Sequence, residues 1–339
     1  MTDLYPLQLS AFSGLLIFDE SRMTPRLVVL GTGGTIAGRS ASATDNVGYK
    51  AGEVPVSELL GDVAVPAGFA VEAEQVAQID SKDMSDAVWR QLLAAVHRHM
   101  QRPEVHGLVI THGTDTLEET AYLLQRVLNP GKPVVLVIAM RPASAALRDG
   151  PQNLADGLQL TATEGALGVL AVCAGRVHAA LHVRKTHNYL LDAFDSGDAG
   201  PVAALEEGRL TRWQSWPTTP ELWEPGLLDR LLQTAAWPRV EWVTNHGGQT
   251  GAMVRALLLQ HQAGTEPNPL RGLVVAGTGN GTLHCELQAA LLAAQAGGVT
   301  VWRSTRCANG RVIEGADSPI PATPLPPAKA RVELMLQLL

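Results

Sequence analysis

Three cysteines in 339 residues, Cys173, Cys285 and Cys307, are too few and too irregularly spaced for a disulfide framework or a metal cluster. They suit a reducing compartment, or simply buried thiols. No apolar run reaches the roughly 18 residues that span a bilayer. Basic residues are short in supply as well: 26 Lys and Arg against 33 Asp and Glu, a formal net charge of -7, and no basic cluster. A nucleic-acid partner needs a clustered basic face, so that class is set aside. The 10 histidines are dispersed, no His/Cys constellation justifies a metal, and no cofactor is expected. His97-Arg98-His99 reads as a solvated helix face. No internal repeat or low-complexity tract is present.

What remains is a globular chain, 46 % apolar and 17 % charged, long enough for two domains. Residues 1–22 hold one short apolar patch, Gly14-Leu15-Leu16-Ile17-Phe18. No basic segment precedes it, acidic Asp3, Asp19 and Glu20 flank it, and no small-residue cleavage site follows. It does not read as a secretory signal, so a cytoplasmic protein is expected, with 1–22 as an N-terminal extension.

The organising stretch is Leu27-Val28-Val29-Leu30-Gly31-Thr32-Gly33-Gly34-Thr35. Four apolar residues run into three glycines within four positions, which reads as a buried strand ending in a turn of close backbone approach. The same cycle recurs at Gly107 to Ile110 followed by Thr111-His112-Gly113-Thr114-Asp115-Thr116. Strands over Val71–Ile79, Pro133–Ala139 and Gly168–Cys173 alternate with helical periods. Ser85 or Asp83 caps the first helix, Asp115 with Glu118 resembles a capping pair at the second, Asn129-Pro130-Gly131 ends it, and Asp149-Gly150-Pro151 opens the third. Arg176–Val183 is expected antiparallel at the sheet edge. The pattern predicts an α/β fold: a larger N-terminal, doubly wound, mostly parallel sheet (23–210), a tryptophan- and proline-rich linker (211–238), and a smaller C-terminal α/β domain (239–339). The linker tryptophans are expected to pack between the domains.

Ligands of such sheets bind outside the carboxyl ends of the strands. Thr35 and Thr114 both fall there, so two hydroxyls from separate strand–helix units share one crevice. A phosphate loop is the rival reading. The opening run lacks the Lys-Ser/Thr of a P-loop and the third glycine of a dinucleotide fingerprint, so the nucleophile reading is preferred. A threonine hydroxyl needs a base and an oxyanion site. Tyr49, on the loop Arg39–Gly52, reads as a lid-loop partner for Thr35. Lys185 reads as a partner for Thr114, with Asp115 adjacent to hold it, and the turn glycines leave N–H groups as oxyanion donors.

The runs Thr32-Gly33-Gly34-Thr35-Ile36-Ala37, Thr111-His112-Gly113-Thr114-Asp115-Thr116-Leu117-Glu118-Glu119-Thr120 and Ala139-Met140-Arg141-Pro142 resemble the bacterial L-asparaginase/glutaminase-asparaginase family. Asp149-Gly150-Pro151, Lys185-Thr186 and Arg303-Ser304-Thr305-Arg306 extend the resemblance from Leu27 to the C-terminus. It implies an L-asparaginase that forms a β-aspartyl ester on Thr35 with loss of ammonia. Tyr49 would be its lid-loop partner, and Thr114, Lys185 and Asp115 a second catalytic set. It further implies that Asp115 takes the substrate α-ammonium and Ser81 its α-carboxylate. Thr282 and Glu314 would be lent to a neighbour's site in a homotetramer of intimate dimers. Lys82 departs from the Gln or Glu usual beside that serine: a lysine cannot accept from an ammonium and repels it. The alternatives are a glutaminase-asparaginase of broad specificity, a non-catalytic amino-acid-binding module, and an asparaginase-like subunit of a tRNA amidotransferase. The acidic charge opposes the last.

Overall fold

The structure, a computed structural model, describes residues 24–61, 63–219, 222–315 and 318–339; the extension expected over 1–22 lies outside them. In chain order the first unit runs β1 (Arg26–Gly33), α1 (Val56–Leu59), β2 (Ala70–Ile79), α2 (Asp86–Met100), β3 (Val105–Thr111), α3 (Leu117–Leu128), β4 (Pro133–Val137), α4 (Gly150–Thr161), β5 (Gly168–Cys173), β6 (Arg176–Ala179), β7 (Arg184–Lys185), β8 (Phe194–Asp195), β9 (Ala203–Glu206) and β10 (Arg209–Arg212). The remainder is α5 (Leu227–Gln233), β11 (Arg239–Thr244), α6 (Ala252–Ala263), β12 (Leu270–Gly277), α7 (Cys285–Ala296), β13 (Thr300–Thr305) and α8 (Pro327–Gln337).

The main sheet has eight strands in the order β10-β9-β6-β5-β4-β3-β1-β2. β2-β1-β3-β4-β5 are parallel, and β6, β9 and β10 continue antiparallel. The strand order reverses between β1 and β3, which makes a crevice at their carboxyl ends. Gly31 of β1 lies level with Thr111 of β3, so Thr35 and Thr114 leave the sheet side by side.

Parallel strands are covered on both faces, and their sequences show it: Leu27, Val28, Val29 and Leu30 are all fully buried. Val28 and Leu30 face one layer with α2 and α3, while Leu27 and Val29 face the other with α4. A second, three-stranded parallel sheet, β11-β12-β13, packs against α6 and α7. α8 covers its other face and leans on α3, so Val332, Leu334 and Met335 share a core with Leu123 and Leu124. Where α3 meets α8, Tyr122 Oη donates to Glu333 Oε2 at 3.0 Å and Arg126 Nε donates to the same oxygen at 2.9 Å.

Local signals behave as the chemistry requires. Ser85 caps α2 by accepting from Val88 N, and Asn129 ends α3 in the left-handed region at φ 37°. Several expectations are corrected. Asp115 does not cap α3; its carboxylate turns to Lys185, because a charge-assisted bond outcompetes a neutral one, and Thr116 holds the cap position while its hydroxyl donates to Ser81 O at 2.9 Å rather than to the helix. Arg176–Val183 yields β6, antiparallel to β5 but not at the edge, since β9 and β10 lie beyond it. β10 takes Arg209–Arg212 into the sheet, and α5 forms in the segment read as a linker. Of the linker tryptophans, Trp237 is buried and stacks on Trp89 with centroids 6.2 Å apart, whereas Trp213 and Trp223 are exposed. His99 is buried against Glu74 at 2.7 Å, so His97-Arg98-His99 is not a wholly solvated face. Only Cys173 is a buried thiol; Cys285 and Cys307 are exposed.

Candidate active site

Three backbone turns meet at the crevice. Gly34, at φ 80°, lies so close to Gly113 that a Cβ on it would overlap that residue's backbone, and a Cβ on Gly113 would strike the Ser81 side chain. The glycines therefore bring the ends of β1, β2 and β3 into contact, and with them Thr35, Ser81 and Thr114.

Thr35 opens a short 3-10 turn, is 7 % exposed, and shares a 2.7 Å hydrogen bond between Oγ1 and Tyr49 Oη. Tyr49 rides the loop after β1. Arg39 and Lys50 pair across the loop's base through N–H···O bonds of 2.9 and 2.8 Å, and the Asp45 carboxylate accepts from Val47 N and Gly48 N at its tip. Burial raises the Tyr49 pKa above the ordinary phenol value, with the Asp80 and Asp115 charges adding to the rise. Tyr49 is thus a neutral phenol at rest: its oxygen can accept the Thr35 proton only as its own proton moves on.

The second cluster centres on Lys185. Its Nζ donates to Thr114 Oγ1 at 2.7 Å and to Asp115 Oδ1 at 2.6 Å, while the Thr114 hydroxyl points to Asp115 Oδ1 at 3.4 Å. Lys185 reaches this place on a small hairpin in which it pairs with Phe194. Arg141 braces the hairpin, with its guanidinium 4.2 Å over the Tyr189 ring and Nη1 donating to Tyr189 O at 3.0 Å. The Asp149 carboxylate fixes that bracket by accepting from Met140 N and Arg141 N at 2.8 and 2.9 Å.

Ser81 is 3 % exposed and its Oγ accepts from Asp115 N at 3.2 Å, tying the β2 turn to the β3 turn. Lys82 faces outward. Its Nζ donates to Asp80 Oδ2 at 2.7 Å and Asp83 Oδ2 at 3.2 Å, and the Asp80 partner raises its pKa, so it remains an ammonium. Thr282 and Glu314 are not brought to this crevice within the chain. Thr282 pairs with Thr278, Oγ1 to Oγ1 at 2.9 Å, and Glu314 accepts from Ala322 N at 3.1 Å. Asn280 clips their two loops together by bonding Ile313 through both N–H and C=O. Among the described residues no group of three or more His, Cys, Asp or Glu is placed to hold a metal.

Sequence reasoning missed His112. It is fully buried behind Thr114, its Nδ1 donates to Gly113 O at 2.6 Å, and burial pulls its pKa down to about 4. It supports the turn as a neutral ring, and its place between Thr111 and Gly113 in the second motif was the available signal. One expected oxyanion donor is also lost: Gly34 N–H is committed to Ile79 O at 2.8 Å. The N–H groups of Thr35 and Thr114 have no hydrogen-bond partner among the described residues.

The comparisons with known proteins agree with this architecture. A family model described as Asparaginase, N-terminal, matches residues 26–217, and one described as Glutaminase/Asparaginase C-terminal domain matches 239–339. L-asparaginase 2 of Bacillus subtilis is 34 % identical over 332 residues, covering 94 % of this chain and 84 % of that protein. L-asparaginase 2 of Escherichia coli is 35 % identical, covering 93 % and 89 %. Glutaminase-asparaginase of Pseudomonas fluorescens is 34 % identical, covering 92 % and 86 %. The crystal structure of a probable cytoplasmic L-asparaginase from Campylobacter jejuni superposes with a TM-score of 0.83 at 32 % identity, covering 93 % of this chain and 95 % of that one. Fold and relatives together define the class as a two-domain α/β amidohydrolase. Within that class, the chain belongs to the asparaginase family.

Proposed function

We propose that this chain is an L-asparaginase, hydrolysing L-asparagine to L-aspartate and ammonia through an ester on Thr35. The observation that carries the reading is the pair of hydroxyl clusters at one strand-order reversal, Thr35 with Tyr49 and Thr114 with Lys185 and Asp115. Thr35 Oγ1 attacks the side-chain amide carbon while its proton passes to the Tyr49 oxygen and onward. The free N–H groups of Thr35 and Thr114 are suited to the developing oxyanion. Collapse breaks the C–N bond, the amine leaves with a proton as ammonia, and water then cleaves the ester to release aspartate. Lys185 holds the Thr114 hydroxyl in one orientation and balances the Asp115 charge, so that Thr114 can pass a proton to or from the second attack.

Asp115 takes the substrate α-ammonium in this reading and Ser81 its α-carboxylate, both lying where the β2 and β3 turns meet. With Lys82 turned to Asp80 and Asp83, its positive charge is partly neutralised, which removes the objection that it repels the ammonium. Thr282 and Glu314 would complete a neighbour's site within a cytoplasmic homotetramer, a reading supported by their being clipped onto one surface away from their own chain's crevice. The name of the Pseudomonas relative makes glutamine the second substrate to test; one extra methylene is discriminated by only about 1–3 kcal/mol in a pocket of this kind.

The deciding experiment is ammonia release by purified protein from asparagine and glutamine, compared as kcat/KM, with Thr35→Ala beside it. No ammonia from either substrate, or full activity in Thr35→Ala, would sink the reading. Mass in solution checks the tetramer: an active monomer removes Thr282 and Glu314 from the site.

A further inference from the structure

Lys329 stands on α8, in the C-terminal part of the chain, and is 0 % exposed. Its Nζ crosses to the N-terminal unit and donates to Ala180 O and Leu181 O, both at 2.9 Å. Those carbonyls belong to the turn after β6, in which His182 N and Val183 N both bond back to Ala179 O at 2.9 Å. Val183, fully buried, follows, and the chain then delivers Arg184 and Lys185. The amine of Lys329 therefore grips the root of the arm that carries Lys185, four residues ahead of it.

A lysine is a costly way to fill buried space; a methionine or leucine would do so without desolvating an amine. Burial pulls the Lys329 pKa down to about 7, with the Glu118 charge opposing and Arg184 assisting the fall. The two carbonyls match the two N–H bonds of a neutral amine, so the group is satisfied without its charge. Glu118 lies in the first turn of α3, three residues after Asp115. Lys329 thus sits between the root of the Lys185 arm and the start of the helix behind Thr114 and Asp115.

We propose that Lys329 is a positioning residue for Lys185, holding the 180–181 turn so that Lys185 Nζ meets Thr114 and Asp115 in hydrogen-bond geometry. This rests on the role given to Lys185 above. The C-terminal unit then contributes to the crevice of its own chain, through the backbone, as well as to its neighbour's.

The test is a double-mutant cycle on the full-length enzyme with two replacements of Lys329. Lys329→Met fills the volume and removes both donors; Lys329→Gln keeps an amide with two N–H bonds. A misplacement of about 1 Å costs on the order of 100-fold, so Lys329→Met is expected to lose about that in kcat with KM within about threefold. Lys329→Gln is expected to recover at least about tenfold of the loss. The second arm repeats both changes in Lys185→Met, assayed with an activated anilide of aspartate so that residual rates stay measurable. There, adding Lys329→Met is expected to change the rate by less than about twofold, since the group it positions is gone. Folded Lys329→Met turning over within about threefold of the unaltered enzyme overturns the proposal, as does a loss that multiplies unchanged in Lys185→Met. If Lys329→Met does not fold, Lys329→Gln decides by the same cycle: a kcat loss confined to the Lys185 background upholds the proposal, and one that persists without Lys185 overturns it. Lys185→Met itself retaining full turnover would instead strike the function proposed for Lys185.

Discussion

Two turns in this molecule are written almost alike and end up differently. Gly31-Thr32-Gly33-Gly34-Thr35 leaves β1, and Gly277-Thr278-Gly279-Asn280-Gly281-Thr282 leaves β12; each strand lies between two parallel neighbours. The β12 turn closes on itself, with Thr278 N donating to Thr282 O at 2.9 Å, Thr282 N donating back at 2.7 Å, and the two hydroxyls paired. Asn245 and Thr305 from the neighbouring strand ends bond into it, to Thr278 Oγ1 and Gly279 O. The β1 turn instead packs against the ends of β2 and β3, and its Thr35 hydroxyl meets a tyrosine from a loop that returns to it. A glycine–threonine turn presents a hydroxyl for reaction only where neighbouring segments bring a proton-transfer partner; otherwise the turn consumes its own hydroxyls.

That contrast can be broken in order of consequence. With Thr35 carrying the ester as proposed, Thr35→Ala is expected to lower kcat for asparagine by about 10⁴-fold or more with the fold intact; circular dichroism with an ammonia assay checks it. Gly34→Ala should couple activity to stability. At φ 80° and ψ -172° Gly34 occupies backbone space essentially closed to other residues, a cost of about 1–3 kcal/mol, and overlap with Gly113 adds overpacking of about 1–3 kcal/mol. A variant with the denaturation midpoint and turnover of the parent would mean the three turns are not in contact.

Acid should loosen the main sheet, at the end of β3 and on β6. His112 and His178 are both held by burial at about 4, below the ordinary imidazole value near 6.5. Their folded forms bind fewer protons than their unfolded forms in that window, so stability is full above 6.5 and falls as pH drops toward 4. His178→Gln should flatten this dependence in urea titrations at a series of pH values; an unchanged slope would remove the histidine from the account. Smallest is Thr282→Val, which should cost about 1 kcal/mol of stability for one lost hydroxyl pair. If Thr282 is lent to a neighbour, KM should rise as well, and a change in stability alone would confine it to its turn.

How much of this could be read from the chain differs by the range of the interaction. Ser85, Asn129 and the buried run Leu27–Leu30 declare themselves because caps, left-handed turns and strand burial are local. β9 and β10 did not: they are four residues each, joined by Glu207 and Gly208 at φ 49° and 71°, and Glu-Gly is not the usual signal for such a hairpin. Strand-end position, motif resemblance and residue chemistry point to Thr35, Tyr49, Thr114 and Lys185 as candidates, whereas no local rule fixes the 2.7 Å approach of Lys185 to Thr114 across 71 residues. Lys329 is not legible in the chain: a lysine beside Val332, Leu334 and Met335 on an amphipathic helix reads as solvent-facing, and only the packing of α8 shows that the helix has two covered sides.

The bonds from Tyr122 and Arg126 to Glu333 have a practical consequence for recombining relatives. The oxygen they share sits on α8, while both donors sit on the helix behind Thr114. A chimera that takes residues before the junction from one homologue and those after it from another must carry all three side chains from the same parent. Otherwise a guanidinium is left facing an apolar wall. The two halves are inherited as one lock, and a library of hybrids should be filtered on that triplet before any substitution near the crevice is scored.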